Sequence, residues 1–500
     1  MFCYDASMEL DHDACYRALS TRDLRFDGRL FVGVLTTGIY CRPICPARTP
    51  KPQNVMFFPT AAAAQEAHFR PCLRCRPECA PDLLRWLGTS TTATRALALI
   101  SEGALDSGTV DQLARRLGVG ERHLRRVFRQ HLGASPIGVA QTRRVLFAKQ
   151  LIVDTALPLT DVALGAGFGS VRRFNATFAA VYQRPPGTLR RIPVDSSDAP
   201  PASDVVLVLP YAPPYDWDAM LDFLAARAIA GVEVVDDRRR YSRTIALDGI
   251  SGWLMIEHDS SRRRLRATIR FPRVTALASI VGRIRRIFDL AADPVAIAEH
   301  LSVDPLLRPL VAAHPGLRVP GAWDGFELAV RAILGQQITV AAATKLAQKL
   351  VASYGIPCNT GRTGLTHTFP EPGTLIEANF RGLGMPQARA RALSSLAAAA
   401  TAEPGLFDPA GSREIALARL CALPGIGEWT AQYIAMRVLR DPDAFPAADL
   451  GLLRATAAED RGRLSAAGLS TLAASWRPWR AYATMHLWAS ESATRKNSRG

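Results

Sequence analysis

Nine cysteines in 500 residues are too few to staple a chain of this size, so a disulfide scaffold is excluded and a reducing compartment is expected. The first residues, Met1 to Asp13, are acidic and carry no apolar run, so no secretory signal is expected. No stretch of about 20 apolar residues occurs, so no membrane-spanning helix is expected either. Acidic side chains are outnumbered: 45 Asp and Glu stand against 61 Lys and Arg, a formal net charge of +16. That excess favours an anionic partner, nucleic acid first. Hydrophobic residues make up 48%, enough for packed cores, and the length points to about three or four domains.

Four of the cysteines are paired by spacing. Tyr40-Cys41-Arg42-Pro43-Ile44-Cys45 holds a C-x3-C pair, and Arg70-Pro71-Cys72-Leu73-Arg74-Cys75 holds a C-x2-C pair. Each short spacing lets one turn of backbone aim two sulfurs at one point, and two such pairs make a tetrahedral S4 set that suits one Zn²⁺. Cys3, Cys15 and Cys79 are near enough in sequence to be rival ligands, but none forms a second pair with ligand spacing.

The run from Phe31 to Pro43, with Arg70 to Cys75, resembles the zinc domain of the Ada family of bacterial methylation-damage sensors. The resemblance implies that one zinc thiolate accepts a methyl group from a DNA methylphosphotriester, and the matching position is Cys41. A zinc-bound thiolate stays ionised at neutral pH and needs no general base. Four thiolates on one Zn²⁺ carry a formal charge of about −2, which repels phosphate, and methylation cuts this to about −1. Damage thereby becomes DNA affinity. Thr37, Arg48 and Arg70 match family positions that touch the DNA backbone. Another family contact falls on Pro46, where a basic residue is expected, and is taken as lost. A purely structural zinc knot is the competing reading. The family's O6-methylguanine methyltransferase domain uses a Pro-Cys-His-Arg nucleophile; no such run occurs, so that activity is expected to be absent.

Residues 88–192 read as helices only. Val110–Val119 is an apolar-periodic helix stopped by Gly118, and a basic helix follows from Glu121, with Leu124, Val127 and Phe128 as its buried stripe. Helix, Gly-containing turn, basic helix is the helix-turn-helix pattern. It recurs about 50 residues later in Leu159–Phe168 and Ser170–Phe178, and the closing Tyr182–Arg191 run makes the whole similar to the AraC-type DNA-binding domain. Arg122, Arg125, Arg172 and Arg173 are the expected base or phosphate contacts; a helical scaffold with a solvated arginine face is the plainer alternative.

Residues 193–203 are rich in Pro, Ser and Asp and read as a short linker. Between 204 and 290 the pattern alternates: strands at Asp204–Leu209, Glu233–Val235, Arg240–Leu247, Gly252–His258 and Arg264–Arg270, with helices at Trp217–Ala230 and Val274–Leu290. Residues 291–490 are Ala- and Leu-rich with helix punctuation. Leu423-Pro424-Gly425-Ile426-Gly427-Glu428-Trp429 is a helix-hairpin-helix signature, whose glycines let the backbone approach phosphate. About 20 residues on stands Asp449, a single acid in an apolar setting.

The segment from Leu423 to Asp449 resembles the helix-hairpin-helix DNA glycosylase superfamily. Phe223–Ala228, Phe326–Gln337 and Trp476–Arg480 bring it closer to the AlkA family of inducible 3-methyladenine glycosylases. The resemblance implies base flipping. It assigns Asp449 to the sugar cation, Trp429, Tyr433 and Trp488 to an aromatic base pocket, Gly425 and Gly427 to backbone phosphate, and Gln337 to the plug that fills the flipped-out gap. Glycosylases that also nick the strand use a hairpin lysine; Trp429 stands there, so a monofunctional enzyme is expected.

The fold class expected is multidomain. A small α/β zinc domain (1–85) precedes an all-α double helix-turn-helix domain (88–192). After the linker come an α+β subdomain with a TBP-like sheet (204–290) and a helical helix-hairpin-helix domain (291–490). Double-stranded DNA and RNA polymerase are the expected partners of a monomer in the bacterial cytoplasm, associated with the nucleoid. A second reading keeps the zinc-dependent regulator but makes the C-terminal half a non-catalytic DNA-binding body.

Overall fold

The computed structural model describes residues 11–81, 92–190, 204–408, 413–457 and 464–497. Cys3 and the expected linker at 193–203 lie outside them. The chain divides into two compact units: Met1–Ala212 with Asp259–Gly282, and Pro213–His258 with Arg283–Gly500.

In the first unit a helix at His12–Ser20 precedes four short strands, β1 (Phe31–Val34), β2 (Ile39–Cys41), β3 (Val55–Phe58) and β4 (Arg70–Pro71), in the order β3-β1-β2-β4. Gly38, at φ +62°, closes the tight turn between β1 and β2. β4 runs parallel to β2, with Ile39 opposite Arg70 and Tyr40 opposite Pro71. One residue further on, the same register carries Cys41 and Cys72 to one end of the sheet. Helix α1 (Ala61–Glu66), capped by Thr60, lays Ala63 and Ala64 on Phe31, Tyr40, Phe58 and Phe69. A Cβ on Gly33 would come within 2.8 Å of the Phe58 ring and 2.9 Å of the Phe69 ring, so only glycine fits beneath them. The helix ends at Glu66: His68 turns left-handed (φ 64°) and swings Phe69 into the core.

A helix at Thr92–Ser101 follows, and then five more: α2 (Val110–Arg116), α3 (Glu121–Leu132), α4 (Pro136–Asp154), α5 (Leu159–Gly165) and α6 (Val171–Tyr182). A Thr109–Gln112 capping box starts α2, and Ser135 and Ser170 cap α4 and α6. Gly118 and Gly167, at φ 72° and 89°, make the two corners. The paired helices bury matching stripes: Leu124, Phe128 and Leu132 on α3, Phe174, Phe178 and Tyr182 on α6. Val127, expected in the stripe, is only half-buried, because an i, i+4, i+8 row already covers the face and Leu132 completes it.

The sheet and the helices of this unit are bolted together by polar contacts. Thr60 Oγ1 donates to Leu132 O at 2.8 Å, and Glu66 Oε1 accepts from Ser135 N (2.9 Å) and Oγ (2.6 Å). Lys149 Nζ on α4 pairs with Glu78, whose side chain is 1% exposed, and Arg76 joins Glu78 to Asp154 at 2.8 Å each.

Helix α7 (Trp217–Ala225) and strands β5 (Val205–Pro210), β6 (Glu233–Val235), β7 (Tyr241–Leu247), β8 (Ile250–Asp259) and β9 (Arg264–Arg270) come next, close to expectation. The helix expected at Trp217–Ala230 stops at Ala225, and Ile229 and Val232 enter the core beyond it. β5 and β9, in the first unit, pair antiparallel from Val205–Ile269 to Pro210–Arg264. β6, β7 and β8 form an antiparallel meander in the second.

Helix α8 (Leu277–Ile287) lies within the expected Val274–Leu290. The second unit then builds on α9 (Gly325–Leu334), α10 (Gln387–Ala402), α11 (Arg413–Ala422), α12 (Glu428–Arg437), α13 (Leu450–Ala455) and α14 (Arg480–Asn497). α9 is buried from Phe326 to Val330 and from Ala332 to Leu334. Around it pack Leu393 and Leu396 of α10, Leu420 of α11 and Ile434 of α12. Each such side chain contributes about 1.5–3 kcal/mol on burial. The hairpin between α11 and α12 turns on Gly425, at φ 80°, where a Cβ would stand 2.6 Å from that of Ala392.

Lys149→Met should lower unfolding free energy by about 3 kcal/mol, the low end for a broken buried pair because Arg76 still faces Glu78. Urea unfolding at pH 7 measures it; a change under about 0.5 kcal/mol would mean the pair is energetically idle.

Candidate functional site

Two sites carry chemistry. In the first unit the Sγ atoms of Cys41, Cys45, Cys72 and Cys75 all lie within 4.8 Å of one another. Cys41, Cys45 and Cys75 are buried and Cys72 is half-buried. The parallel β2–β4 register delivers the first cysteine of each pair, and the turns after them deliver the second. Four sulfurs at this separation are positioned to bind one metal ion, and an all-sulfur set fits Zn²⁺. Hydrogen bonding to Cys45, then to Cys72 and Cys75, together with burial, pushes the Cys41 thiol far above its ordinary value. A bound dication reverses that preference. Cys15 and Cys79 are not in the cluster among the described residues.

The sulfurs differ in their surroundings. Arg42 N donates to Cys75 Sγ at 3.3 Å and Arg74 N to Cys72 Sγ at 3.4 Å. Among the described residues no backbone N–H donates to Cys41. The Arg42 side chain is turned away, held by Asp27 (Nε–Oδ1 2.7 Å) and the Cys75 carbonyl (3.2 Å). Thr37 and Arg48 are exposed, Arg70 is half-buried, and Pro46 is exposed where a basic contact was expected.

On the helices, Arg122, Arg125, Arg172 and Arg173 all face solvent. Arg125 is engaged by Glu121 (2.6 Å), one turn earlier on α3. Arg129, not singled out from the sequence, lies 3.5 Å from Glu66 of α1.

The second site lies wholly within the second unit. A cavity of about 1090 Å³ is lined by Asp449, Trp429, Tyr433, Trp488, Gln337 and Gly427 among others. Asp449 caps α13, accepting from Gly451 N (2.9 Å) and Leu452 N (3.1 Å). Its oxygens also accept from the indole N–H groups of Trp429 (2.9 Å to Oδ2) and Trp488 (3.0 Å to Oδ1). The expected acid and two expected pocket aromatics are therefore directly bonded. Trp429 and Tyr433 stack one turn apart on α12, centroids 5.5 Å apart and planes at 9°, and Trp488 closes on Tyr433 at 6.2 Å.

Gln337 is exposed and adopts φ 59°, an unusual backbone for a side chain with a Cβ. Its neighbour holds it there: Gln336 Nε2 donates to Gly425 O (2.8 Å) and Thr430 Oγ1 (3.0 Å), and Arg389 donates to Gln336 O (2.7 Å). Gly425 thus meets α9's end rather than open space.

Sequence reasoning did not single out two cavity arginines. Arg437 Nη1 donates to the Tyr433 hydroxyl at 2.5 Å, and Arg227 hydrogen-bonds the same phenol. The i, i+4 pairs Phe223/Arg227 and Tyr433/Arg437 were the available signal. Burial by itself would push the Tyr433 phenol up, but the Arg437 and Arg227 guanidiniums overcome it and hold the group below its ordinary 10.0.

Four known family models match successive stretches of the chain. The metal binding domain of Ada matches residues 14–78, a helix-turn-helix domain 113–192, the AlkA N-terminal domain 206–324, and the HhH-GPD superfamily of base excision DNA repair proteins 330–460. A probable bifunctional transcriptional activator/DNA repair enzyme AlkA of Mycobacterium tuberculosis is 42% identical over 483 residues, 96% of this chain and 97% of that protein. The chain belongs to this bifunctional family. DNA-3-methyladenine glycosylase 2 of Escherichia coli is 36% identical over 57% of this chain and 96% of its own length. The bifunctional transcriptional activator/DNA repair enzyme Ada of the same organism is 33% identical over 32% of this chain and 43% of its own. The solved structure of the 3-methyladenine DNA-glycosylase of Archaeoglobus fulgidus shares the fold, with TM-score 0.50 and 23% identity over 57% of this chain and 98% of that one. The family unites the two sites in one polypeptide. No described helix is long and apolar enough to cross a membrane.

Because the Tyr433 pKa is lowered, its anion forms at lower pH than an ordinary tyrosinate. Titration at 295 nm should show a tyrosinate step at lower pH than the ordinary one, and Tyr433→Phe should remove that step. Identical curves for both proteins would refute the assignment.

Proposed function

We propose that this chain is a DNA alkylation-damage response protein with two chemistries, one for each site. The first is a single-turnover methyl transfer. When bound, a zinc ion keeps the cysteine sulfurs ionised at neutral pH. Cys41 Sγ attacks the methyl carbon of a DNA methylphosphotriester; an S–C bond forms, the C–O bond breaks, and the phosphodiester leaves as an anion. The observations that carry the choice of Cys41 are its place as first cysteine of the C-x3-C run and the lack, among the described residues, of a backbone N–H bond to its sulfur, where Cys72 and Cys75 each accept one. A hydrogen bond withdraws electron density from sulfur, so the sulfur without one is the stronger nucleophile. Methylation removes one negative charge from the cluster, and Thr37, Arg48 and Arg70 meet the backbone with less repulsion. Arg122, Arg125, Arg172 and Arg173 contact promoter DNA, and transcription of repair genes rises.

The second chemistry is hydrolysis of the N-glycosidic bond of alkylated bases, 3-methyladenine and related. The base is flipped into the cavity, Gln337 fills the gap, and the Gly425–Gly427 hairpin holds the phosphate backbone. Trp429, Tyr433 and Trp488 stack on the base, where a cationic purine gains about 1–2 kcal/mol. The C1′–N bond breaks with its electron pair going to the base, and Asp449 stands against the cationic sugar until water adds. Four donors already fix that carboxylate, so no reorganisation is needed as charge develops. Trp429 occupies the lyase position, so the strand stays intact. The domains are assigned as 1–85, 88–192, 204–290 and 291–490, with 193–203 as tether. The protein works as a monomer with RNA polymerase, on the bacterial nucleoid in the cytoplasm.

Asp449→Asn should slow release of 3-methyladenine from methylated duplex by about 10²–10³-fold, with no strand breaks before alkali in either protein. Unchanged release would return the C-terminal half to plain DNA binding. Separately, incubation with methylphosphotriester DNA should add 14 Da (about one CH₂) to the peptide bearing Cys41, and Cys41→Ser should abolish it; an adduct on the Cys72 peptide instead would refute the nucleophile.

A further inference from the structure

Elements of the regulatory half converge on a stretch that by sequence belongs to the glycosylase half. The AlkA N-terminal domain matches residues 206–324. The first compact unit does not stop short of that stretch. It runs on to Ala212 and takes in Asp259–Gly282, so β5, β9 and the start of α8 are packed with the zinc and helix-turn-helix domains.

β5 is an edge strand: among the described residues its backbone pairs only with β9. An uncovered edge of this kind is a template for pairing with another chain, and proteins blunt it by laying a helix or loop over it. Here α4 and the Pro77–Cys79 turn of the zinc domain pack on β5. The Gln150 side chain of α4 is buried, and its Nε2 donates to Val208 O at 2.7 Å. One carbonyl of the edge strand is thereby satisfied by a side chain of the regulator.

Two glycines close a second part of the same contact, one from each half. Gly165 is buried at the end of α5, and a Cβ there would stand 3.2 Å from Val274 O and 3.4 Å from Leu277 Cδ1. Gly282 is buried on α8, and a Cβ there would stand 3.3 Å from the Glu102 side chain, which follows the helix at Thr92–Ser101. Bare backbone on both sides allows an approach that larger residues would hold apart. None of these contacts uses the DNA-facing arginines: Arg122, Arg125, Arg172 and Arg173 stay exposed.

We propose that α4, α5 and the Pro77–Cys79 turn form a docking surface for the β5–β9 ribbon and the start of α8, and that this contact holds the regulatory and glycosylase segments together independently of the peptide at 193–203. The regulator then lies on DNA with the glycosylase segment still attached, and the second activity reaches the damaged duplex at high local concentration. The contact stands whichever chemistry each half performs, so its failure leaves both readings of the sites intact.

The test cuts the peptide and leaves the contact. A protease recognition sequence is placed within 193–203 of the full chain, and the cleaved protein is followed by analytical ultracentrifugation. The two pieces should sediment as one particle at about 1 µM, as the uncut chain does. Gly282→Phe drives a ring toward Glu102 and should raise the concentration at which the pieces separate by about tenfold or more. Gln150→Ala leaves the Val208 carbonyl without its donor and should raise it by about tenfold as well. It reads the same contact should Gly282→Phe fail to fold by circular dichroism. Wild-type pieces that sediment separately at about 1 µM overturn the proposal. So does a cut protein whose folded variants separate at the same concentration as the wild type.

Discussion

Four sulfurs confined within 4.8 Å of one another set the terms for the first half of the molecule. Placing several thiolates so close is electrostatically costly unless a cation sits among them, so the cluster makes sense only as a metal centre. Everything around it follows from holding that geometry. The parallel β2–β4 register aligns Cys41 with Cys72, and Gly33 lets the aromatic core close beneath. Backbone N–H groups at Arg42 and Arg74 donate to the Cys75 and Cys72 sulfurs.

The polar bolts from this domain to the helices give the charge change somewhere to act. Glu66 caps the start of α4 through Ser135, and Lys149 of the same helix is matched by Glu78, which is three residues beyond Cys75. The helix that joins the two helix-turn-helix repeats is thus tied on two sides to the metal-bearing fold. A methyl-dependent gain in affinity at the sulfur cluster is in that way shared with the arginine helices, without any wire of moving parts.

In the second unit the corresponding fixed point is the Asp449 carboxylate. Two indoles and two backbone amides hold it, and the same indoles line the cavity. Binding and chemistry are therefore set by one hydrogen-bonded cluster. The Gln336 amide, bonded to both Gly425 and Thr430, fastens the end of α9 to the hairpin between α11 and α12, next to Gln337 in its left-handed pose.

Much of this was legible in the linear chain because it depends on local spacing. C-x3-C and C-x2-C announce a metal wherever they fold, Gly118 and Gly167 announce corners, and Leu423–Gly427 announces a hairpin, since each signal needs only neighbouring backbone. The helix ends at Glu66 and Ala225, and the exchange of Val127 for Leu132 in the buried stripe, were not legible, because long-range packing decided them. Sequence alone thus determined which residues carry sulfur, carboxylate and aromatic chemistry and the order of the modules. Only the tertiary structure decided that the Arg42 amide reaches Cys75, that two indoles grip Asp449, and that Arg227 and Arg437 meet at Tyr433, because these contacts join residues from 4 to more than 200 positions apart.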